Sequence, residues 1–258
     1  MLDDVLGWGG TLPRNRVLLV KDTVAASASF LLLYLLKKIL ATPDSLVIFV
    51  GLKEPFSHYS RIARKQGCNL AMHQDHGSLV YIDLLSKTIL EHSSLPTDAA
   101  VINEGNKLIL LFQKFIRILK EQPGRNTWII IDDISLIEVI AQGNNAHVRD
   151  FLHYCRTLAT DQQICSLLLL THLDAYEDID ETMMANHLEL LSDTVINVVP
   201  LVTGQAVDVH GQVIVEHKVP CNVNPNTCMD GFQNSRGYGL HYKLMENTVQ
   251  FFTPGKHV

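Results

Sequence analysis

The sequence lacks the features that mark secreted and membrane proteins. No basic region or cleavage site precedes the first apolar segment, and Asp3 and Asp4 lie where a secretory signal would carry positive charge. The longest uncharged apolar stretch runs from Val24 to Leu36. It is shorter than the roughly 20 apolar residues that a helix needs to cross a bilayer. We therefore expect this stretch to be a buried helix and the protein to be intracellular.

Paired cysteines, metal-ligand spacings and excess positive charge are also missing. The 5 cysteines include no Cys-x-x-Cys pair, so neither a disulfide framework nor a zinc site is indicated. The densest histidine cluster, His73-Gln74-Asp75-His76, has no second ligand pair at a recognised spacing, and we predict a solvated loop there. The formal net charge of −6 argues against broad nucleic-acid affinity, because phosphate binding depends on many lysine and arginine contacts. A local basic patch is still compatible with that charge.

The segments that are present alternate between short apolar runs and longer runs of helical periodicity from Arg16 onward. This alternation is typical of strand-helix-strand units around a mostly parallel sheet. The predicted strands span 17–20, 46–51, 79–84, 128–133, 167–171 and 194–199. The predicted helices span 27–39, 56–66, 107–121, 148–159 and 187–191. We predict an α/β fold with a mostly parallel sheet flanked by helices.

The C-terminal part has a different periodicity. Residues 205–217 and 240–252 alternate polar and apolar side chains, which predicts antiparallel hairpins with turns at His210-Gly211 and Glu246-Asn247. Residues 220–239 are rich in Asn, Gly, Pro and Ser and are predicted to form a mobile loop. We predict one domain over residues 1–258, with its core at about 16–252.

The most informative motif is an apolar strand that ends in two aspartates, Trp128-Ile129-Ile130-Ile131-Asp132-Asp133. Strands of this kind place a magnesium-directed acid at the carboxyl edge of many sheets that hydrolyse nucleoside triphosphates. The alternative is a structural role, in which the acids cap the following helix. Asp133 lies where an N-cap side chain would accept backbone N–H bonds. Catalysis would also require a phosphate-binding loop.

That loop is missing from the sequence. The matching strand-to-helix turn spans residues 21–29 and has neither a glycine nor the terminal lysine of a P-loop. Its side chains at Val24, Ala25 and Ala26 hinder the left-handed conformations that wrap a loop around phosphates, and Asp22 would repel an anion. An active NTPase with a divergent phosphate site stays open as an alternative, supported only by Asp132 and Asp133.

Two further groups of residues are candidates for a site. His172 and Asp174 follow a buried strand, where site residues often lie, although a lone histidine there is more often an ordinary hydrogen-bonded side chain. Arg61, Arg64 and Lys65 share one helical face at i, i+3 and i+4 and could contact RNA or an acidic partner. Most such faces are only solvated. No hydrolase triad is visible.

The order of elements resembles the RecA-like ATPase fold, and four shorter sequence strings point to one family with this fold. These strings are Phe56-Ser57-His58-Tyr59-Ser60, Asp150-Phe151-Leu152-His153-Tyr154-Cys155-Arg156, Leu201-Val202-Thr203-Gly204 and Asp208-Val209-His210-Gly211-Gln212. Together they are similar to the family of sixth subunits of the Elongator complex, over about residues 18–252. That family also lacks a proper phosphate loop, so Asp132 and Asp133 would be vestigial, Walker-B-like acids.

The resemblance implies a non-catalytic assembly subunit with a pseudo-ATPase fold. Such a subunit would join the fourth and fifth Elongator subunits in a hetero-hexameric ring with two copies of each. The ring would bind tRNA and support the modification of the wobble uridine by a separate catalytic part. No cofactor would belong to this chain alone, although ATP could bind at the ring interfaces. The resemblance implies a cytoplasmic location, with the nucleus as a second compartment.

Overall fold

Nine strands form one sheet in the computed structural model of this chain. The structure describes residues 1–8, 12–86, 105–175, 179–201, 204, 206, 208–218 and 238–255. The strand order is β3-β2-β4-β5-β1-β6-β7-β8-β9. The strands are β1 (Val17–Asp22), β2 (Ser45–Gly51), β3 (Leu79–Asp83), β4 (Asn126–Ile131), β5 (Ser166–His172), β6 (Thr194–Val199), β7 (Gly211–His217), β8 (Tyr238–Leu244) and β9 (Val249–Phe252).

The helices alternate with the first six strands. They are α1 (Leu2–Val5), α2 (Ser29–Leu40), α3 (Phe56–Lys65), α4 (Leu70–Asp75), α5 (Gly105–Glu121), α6 (Ile134–Ile140), α7 (Asn145–Thr160) and α8 (Ile179–Leu191), with a short 3-10 helix over Leu173–Ala175. Among the described residues, no helix is both long enough and apolar enough to span a bilayer.

The first six strands are paired in parallel, and the last three are added antiparallel. Parallel strands are covered by helices on both faces and therefore read as continuous apolar runs. Strand β4 follows this rule, because every residue from Asn126 to Ile131 is buried. One face packs against α1–α4 and the other against α5–α8, so the sheet separates two hydrophobic cores.

The predicted mostly parallel α/β architecture is confirmed, and its differences from the structure have local causes. The predicted solvated loop at His73–His76 is wrong, because α4 forms there, begun by the Asn69 side chain that accepts the Met72 backbone N–H. Helix α8 is longer than the predicted helix over 187–191. Asp132 and Asp133 lie just beyond β4 rather than within it.

The C-terminal prediction is partly confirmed. Strands β8 and β9 form the predicted hairpin within residues 240–252. A hairpin turn at His210-Gly211 is wrong, because Gly211 begins β7, which pairs with β6 on one side and β8 on the other. Tyr238 and Gly239 belong to β8. Most of the predicted loop over 220–239 lies outside the described residues.

Candidate functional site

The candidate site lies at the carboxyl edge of the sheet, where β5 separates β1 from β4. Ligands of parallel α/β sheets usually bind at this edge. Asp22 ends β1 and is in register with His172, which ends β5. Asp132 and Asp133 follow the neighbouring strand β4. The topology therefore brings together the degenerate turn, the two aspartates and the histidine that the sequence suggested separately.

Asp22 places a carboxylate where a P-loop protein would hold a phosphate. Its side chain is buried, and Oδ2 accepts a hydrogen bond of 2.6 Å from the backbone N–H of Ala28. Ala28 is the N-cap residue of α2. Helix N-termini favour anions because their N–H groups are unpaired and the helix dipole is positive there. The protein thus supplies its own anion at this helix terminus.

The turn between β1 and α2 also has other backbone N–H groups that bond within the protein. The N–H of Val24 donates to the Asp174 carboxylate, and the N–H of Ala26 donates to Thr23 O at 3.0 Å. Thr23 and Ala26 form a β-bridge that closes the turn tightly. A P-loop needs such N–H groups to point at phosphate oxygens. In this turn the N–H groups of Val24 and Ala26 are already bonded to acceptors of the protein.

His172 links the two sides of the site. Its Nδ1 contacts the Asp22 carboxylate, and its Nε2 lies 3.2 Å from Oδ2 of Asp133. Hydrogen bonds to Asp133 and Asp22 outweigh burial and raise the pKa of His172 from 6.5 to about 9. The ring is therefore an imidazolium at neutral pH and donates to both carboxylates. Lys53 Nζ lies 3.1 Å from Nε2. The positive charge of Lys53 repels that of the ring, but it also places a second cation beside the two acids.

Asp133 is occupied by capping as well as by His172. It is the N-cap residue of α6, and Oδ1 accepts bonds from the Ser135 N–H at 2.9 Å and the Ser135 hydroxyl at 2.5 Å. Burial opposes ionisation, but the hydrogen bonds from His172 and Ser135 outweigh burial and lower the pKa of Asp133. The predicted capping role of Asp133 is confirmed.

Asp132 does not cap α6, so the predicted capping role is wrong for this residue. Both of its oxygens accept from the Leu52 N–H, at 2.9 and 3.1 Å, and Oδ2 also accepts from the Lys53 N–H at 3.2 Å. The Tyr59 hydroxyl donates to the same oxygen at 2.6 Å. Burial raises the pKa of Asp132 to about 6, although these hydrogen bonds lower it. Asp132 thus fixes the turn from β2 into α3, a long-range contact that no sequence pattern signals.

The oxygens of the two aspartates make hydrogen bonds within the protein. Each oxygen of Asp132 and Asp133 already bonds to a donor of the protein. In the part of the chain that the structure describes, no group of three or more histidine, cysteine or acidic residues is arranged to hold a metal ion. Lys21 lies on β1, before the turn, and its ammonium pairs with Glu189 of α8. The charged groups of this site hold β1, β4 and β5 together at their carboxyl ends.

The predicted basic face lies on the exposed side of α3. Arg61, Arg64 and Lys65 are exposed on α3, and Arg64 and Lys65 belong to its last turn. Their contact with RNA or with a partner stays a prediction.

Comparison with known proteins shows the fold first. A KaiC-like protein from the archaeon Pyrococcus horikoshii OT3 superposes with a TM-score of 0.62 at 12% sequence identity, covering 97% of this chain and 94% of that one. This likeness confirms a RecA-like fold. The family profile of Elongation complex protein 6 matches residues 3–234. The chain belongs to this family.

Several Elongator complex protein 6 sequences are similar over most of the chain. The protein of Xenopus tropicalis is 30% identical over 267 aligned positions, which cover 98% of this chain and 96% of that protein. The human protein is 28% identical over 220 positions, covering 81% of this chain and 80% of its own length. The protein of Dictyostelium discoideum is 23% identical and covers 96% of this chain and 93% of that protein. The likeness to the Elongator complex protein 6 family thus includes the carboxyl edge of the sheet.

Proposed function

We propose that the chain is a non-catalytic subunit of the Elongator complex. It joins the fourth and fifth subunits in a hetero-hexameric RecA-like ring, which binds tRNA and supports modification of its wobble uridine by a separate catalytic part. Family membership supports the place in Elongator, because the similar proteins are named Elongator complex protein 6. The RecA-like fold supports the ring, because head-to-tail contacts between such domains close when the rotation between subunits closes.

One observation carries the non-catalytic part of the proposal: the phosphate position is filled from within the chain. The Asp22 carboxylate accepts the Ala28 N–H at the N-terminus of α2 and is neutralised by His172. A bound phosphate would have to displace a buried anion and break its pair with a cation. Breaking a buried pair costs about 3 to 5 kcal/mol, which weakens nucleotide binding by at least a hundredfold.

The remaining parts of the proposal concern ligands and location. The chain alone takes no cofactor, and any ATP of the assembly binds at interfaces within the ring. Arg61, Arg64 and Lys65 are the proposed contacts with RNA or with a neighbouring subunit, since they are exposed and carry positive charge on a chain of formal net charge −6. The location is cytoplasmic, with the nucleus as a second compartment.

Reconstitution tests this function. The chain is co-expressed with the fourth and fifth Elongator subunits of the same organism, and the purified product is weighed by native mass spectrometry. The expected mass is that of two copies of each subunit. A chain that stays monomeric in the presence of both subunits would contradict the proposal.

A further inference from the structure

Helices α7 and α8 present two matching rows of side chains on the outer face of the protein. In each row the residues are spaced i, i+4 and i+7, which places them on one side of a helix over about 10 Å. The central histidines of the two rows, His153 and His187, are in contact, with ring centroids 4.9 Å apart. We call this surface the α7–α8 seam and define it by Arg149, His153 and Arg156 of α7 and Met183, His187 and Leu190 of α8.

The α7 row is cationic, and its side chains have no ion-pair partner among the described residues. Arg149 and His153 are exposed, whereas Arg156 is half-buried. Within that part of the chain, Nε of Arg156 and Nε2 of His187 are buried and have no hydrogen-bond partner. Burial, followed by the positive charges of His153 and Arg149, lowers the pKa of His187.

The α8 row is apolar at both ends. Met183 is 60% exposed and Leu190 is 75% exposed, on either side of His187. Single exposed apolar residues are common on protein surfaces and mean little by themselves. Here the two side chains line a second stripe beside the cationic row, and the histidine contact joins the two stripes. The seam therefore combines positive charge and apolar area in one strip.

We propose that the α7–α8 seam docks an acidic amphipathic helix of a neighbouring subunit. A helix two turns long matches the length of both rows, and carboxylates spaced i, i+4 and i+7 would face the α7 row. Apolar side chains beside these carboxylates cover Met183 and Leu190. RNA matches less well, since a phosphate backbone leaves the apolar row exposed to water.

This inference rests on the proposed ring, because the occupant is the fourth or the fifth Elongator subunit. Two single variants of the full chain test it, each with a matched control elsewhere on the surface. Arg149→Glu reverses one charge of the α7 row. Its control, Arg14→Glu, reverses the charge of an exposed arginine that precedes β1, at the amino edge of the sheet. Leu190→Asp removes the apolar end of the α8 row, and its control changes Leu110, which is 56% exposed on α5, to Asp.

The affinity of each variant for the purified fourth and fifth subunits is measured by isothermal titration calorimetry. Both seam variants should bind at least about tenfold more weakly than the original chain, because each places an unpaired charge in a desolvated contact. Both controls should stay within about twofold. Thermal unfolding of the four free variants should occur at similar temperatures, which separates lost docking from lost folding.

The outcomes distinguish the seam from the ring. If the original chain does not bind the two subunits, the proposed function itself fails. If the original chain binds and both seam variants bind equally well, the ring stands and the seam inference is wrong. If the variants assemble normally but the assembled ring loses tRNA affinity, the seam contacts RNA, and the proposed protein partner is overturned.

Discussion

Replacing His172 with leucine should destabilise the fold, because this residue neutralises two buried carboxylates. The side chains of Asp22 and Asp133 are 0% and 5% exposed, and each contacts a different ring nitrogen of His172. Removing one partner of a buried ion pair costs about 3 to 5 kcal/mol, because the remaining charge stays in a poorly solvating environment. Lys53 remains nearby and compensates in part. We expect His172→Leu to lower the free energy of unfolding by about 3 kcal/mol at pH 6.5.

The same interaction predicts a specific dependence on pH. The pKa of His172 is raised from 6.5 to about 9 in the folded protein. A raised pKa means that the stabilisation is complete below about pH 6.5 and is lost as the pH rises through about 9. A shift of this size corresponds to about 3 kcal/mol. Partial solvation of the ring, which is 18% exposed, reduces the expected loss to about 2 kcal/mol.

Urea unfolding followed by circular dichroism, repeated at half-unit steps from pH 6 to pH 10, measures both effects. The stability difference between the original chain and His172→Leu should shrink as the pH rises, since titrating groups that do not contact His172 cancel in the difference. His76→Leu is the control, because His76 is exposed and its loss should change stability by less than about 0.5 kcal/mol. A difference for His172→Leu that does not change between pH 6.5 and pH 10 would refute the reasoning.

Two further substitutions test the turn that joins β2 to α3. Tyr59→Phe removes the hydroxyl that donates to Asp132 at 2.6 Å, and it should lower the free energy of unfolding by about 2 kcal/mol and raise the pKa of Asp132 above about 6. Urea unfolding measures the first effect, and carboxyl NMR titration measures the second; an unchanged pKa would show that the hydroxyl does not reach Asp132. Gly51→Ala would bring a Cβ within 1.8 Å of the Tyr81 hydroxyl, so Tyr81 must move and lose its bond to Glu54 O. We expect a loss of about 1 to 3 kcal/mol from this overpacking, measured by the same unfolding assay, and Gly51→Ala/Tyr81→Phe should recover part of it.

Most of the fold could be predicted from the sequence because its strands are buried on both faces. Continuous apolar runs such as Trp128–Ile131 have no polar face and are therefore easily recognised as buried strands. The helical periodicity between them marks the helices that connect one parallel strand to the next. The hairpin turn at His210-Gly211 was wrong because alternation alone cannot show where a strand begins or which neighbour it pairs with. Helix α4 was missed because it is short and depends on the capping side chain of Asn69.

The site was predictable only in its outline. The sequence pointed to Asp133 as a cap, because an acid directly before an apolar helical run is a local signal. It could not predict that His172 contacts Asp22, which is 150 positions away, or that Asp132 accepts from Tyr59, which is 73 positions away. These contacts arise from the order of the strands in the sheet, and that order is a property of the whole fold.

The most direct test of the central claim is ATP hydrolysis by the isolated chain in the presence of magnesium. If Asp22 and His172 fill the phosphate position, phosphate release should stay at the background rate, and calorimetry should detect no ATP binding at millimolar nucleotide. Asp132→Ala should then change stability without changing that background rate. Robust turnover by the isolated chain, abolished by Asp132→Ala in a variant that remains folded, would contradict the account and establish an active NTPase with a divergent phosphate site.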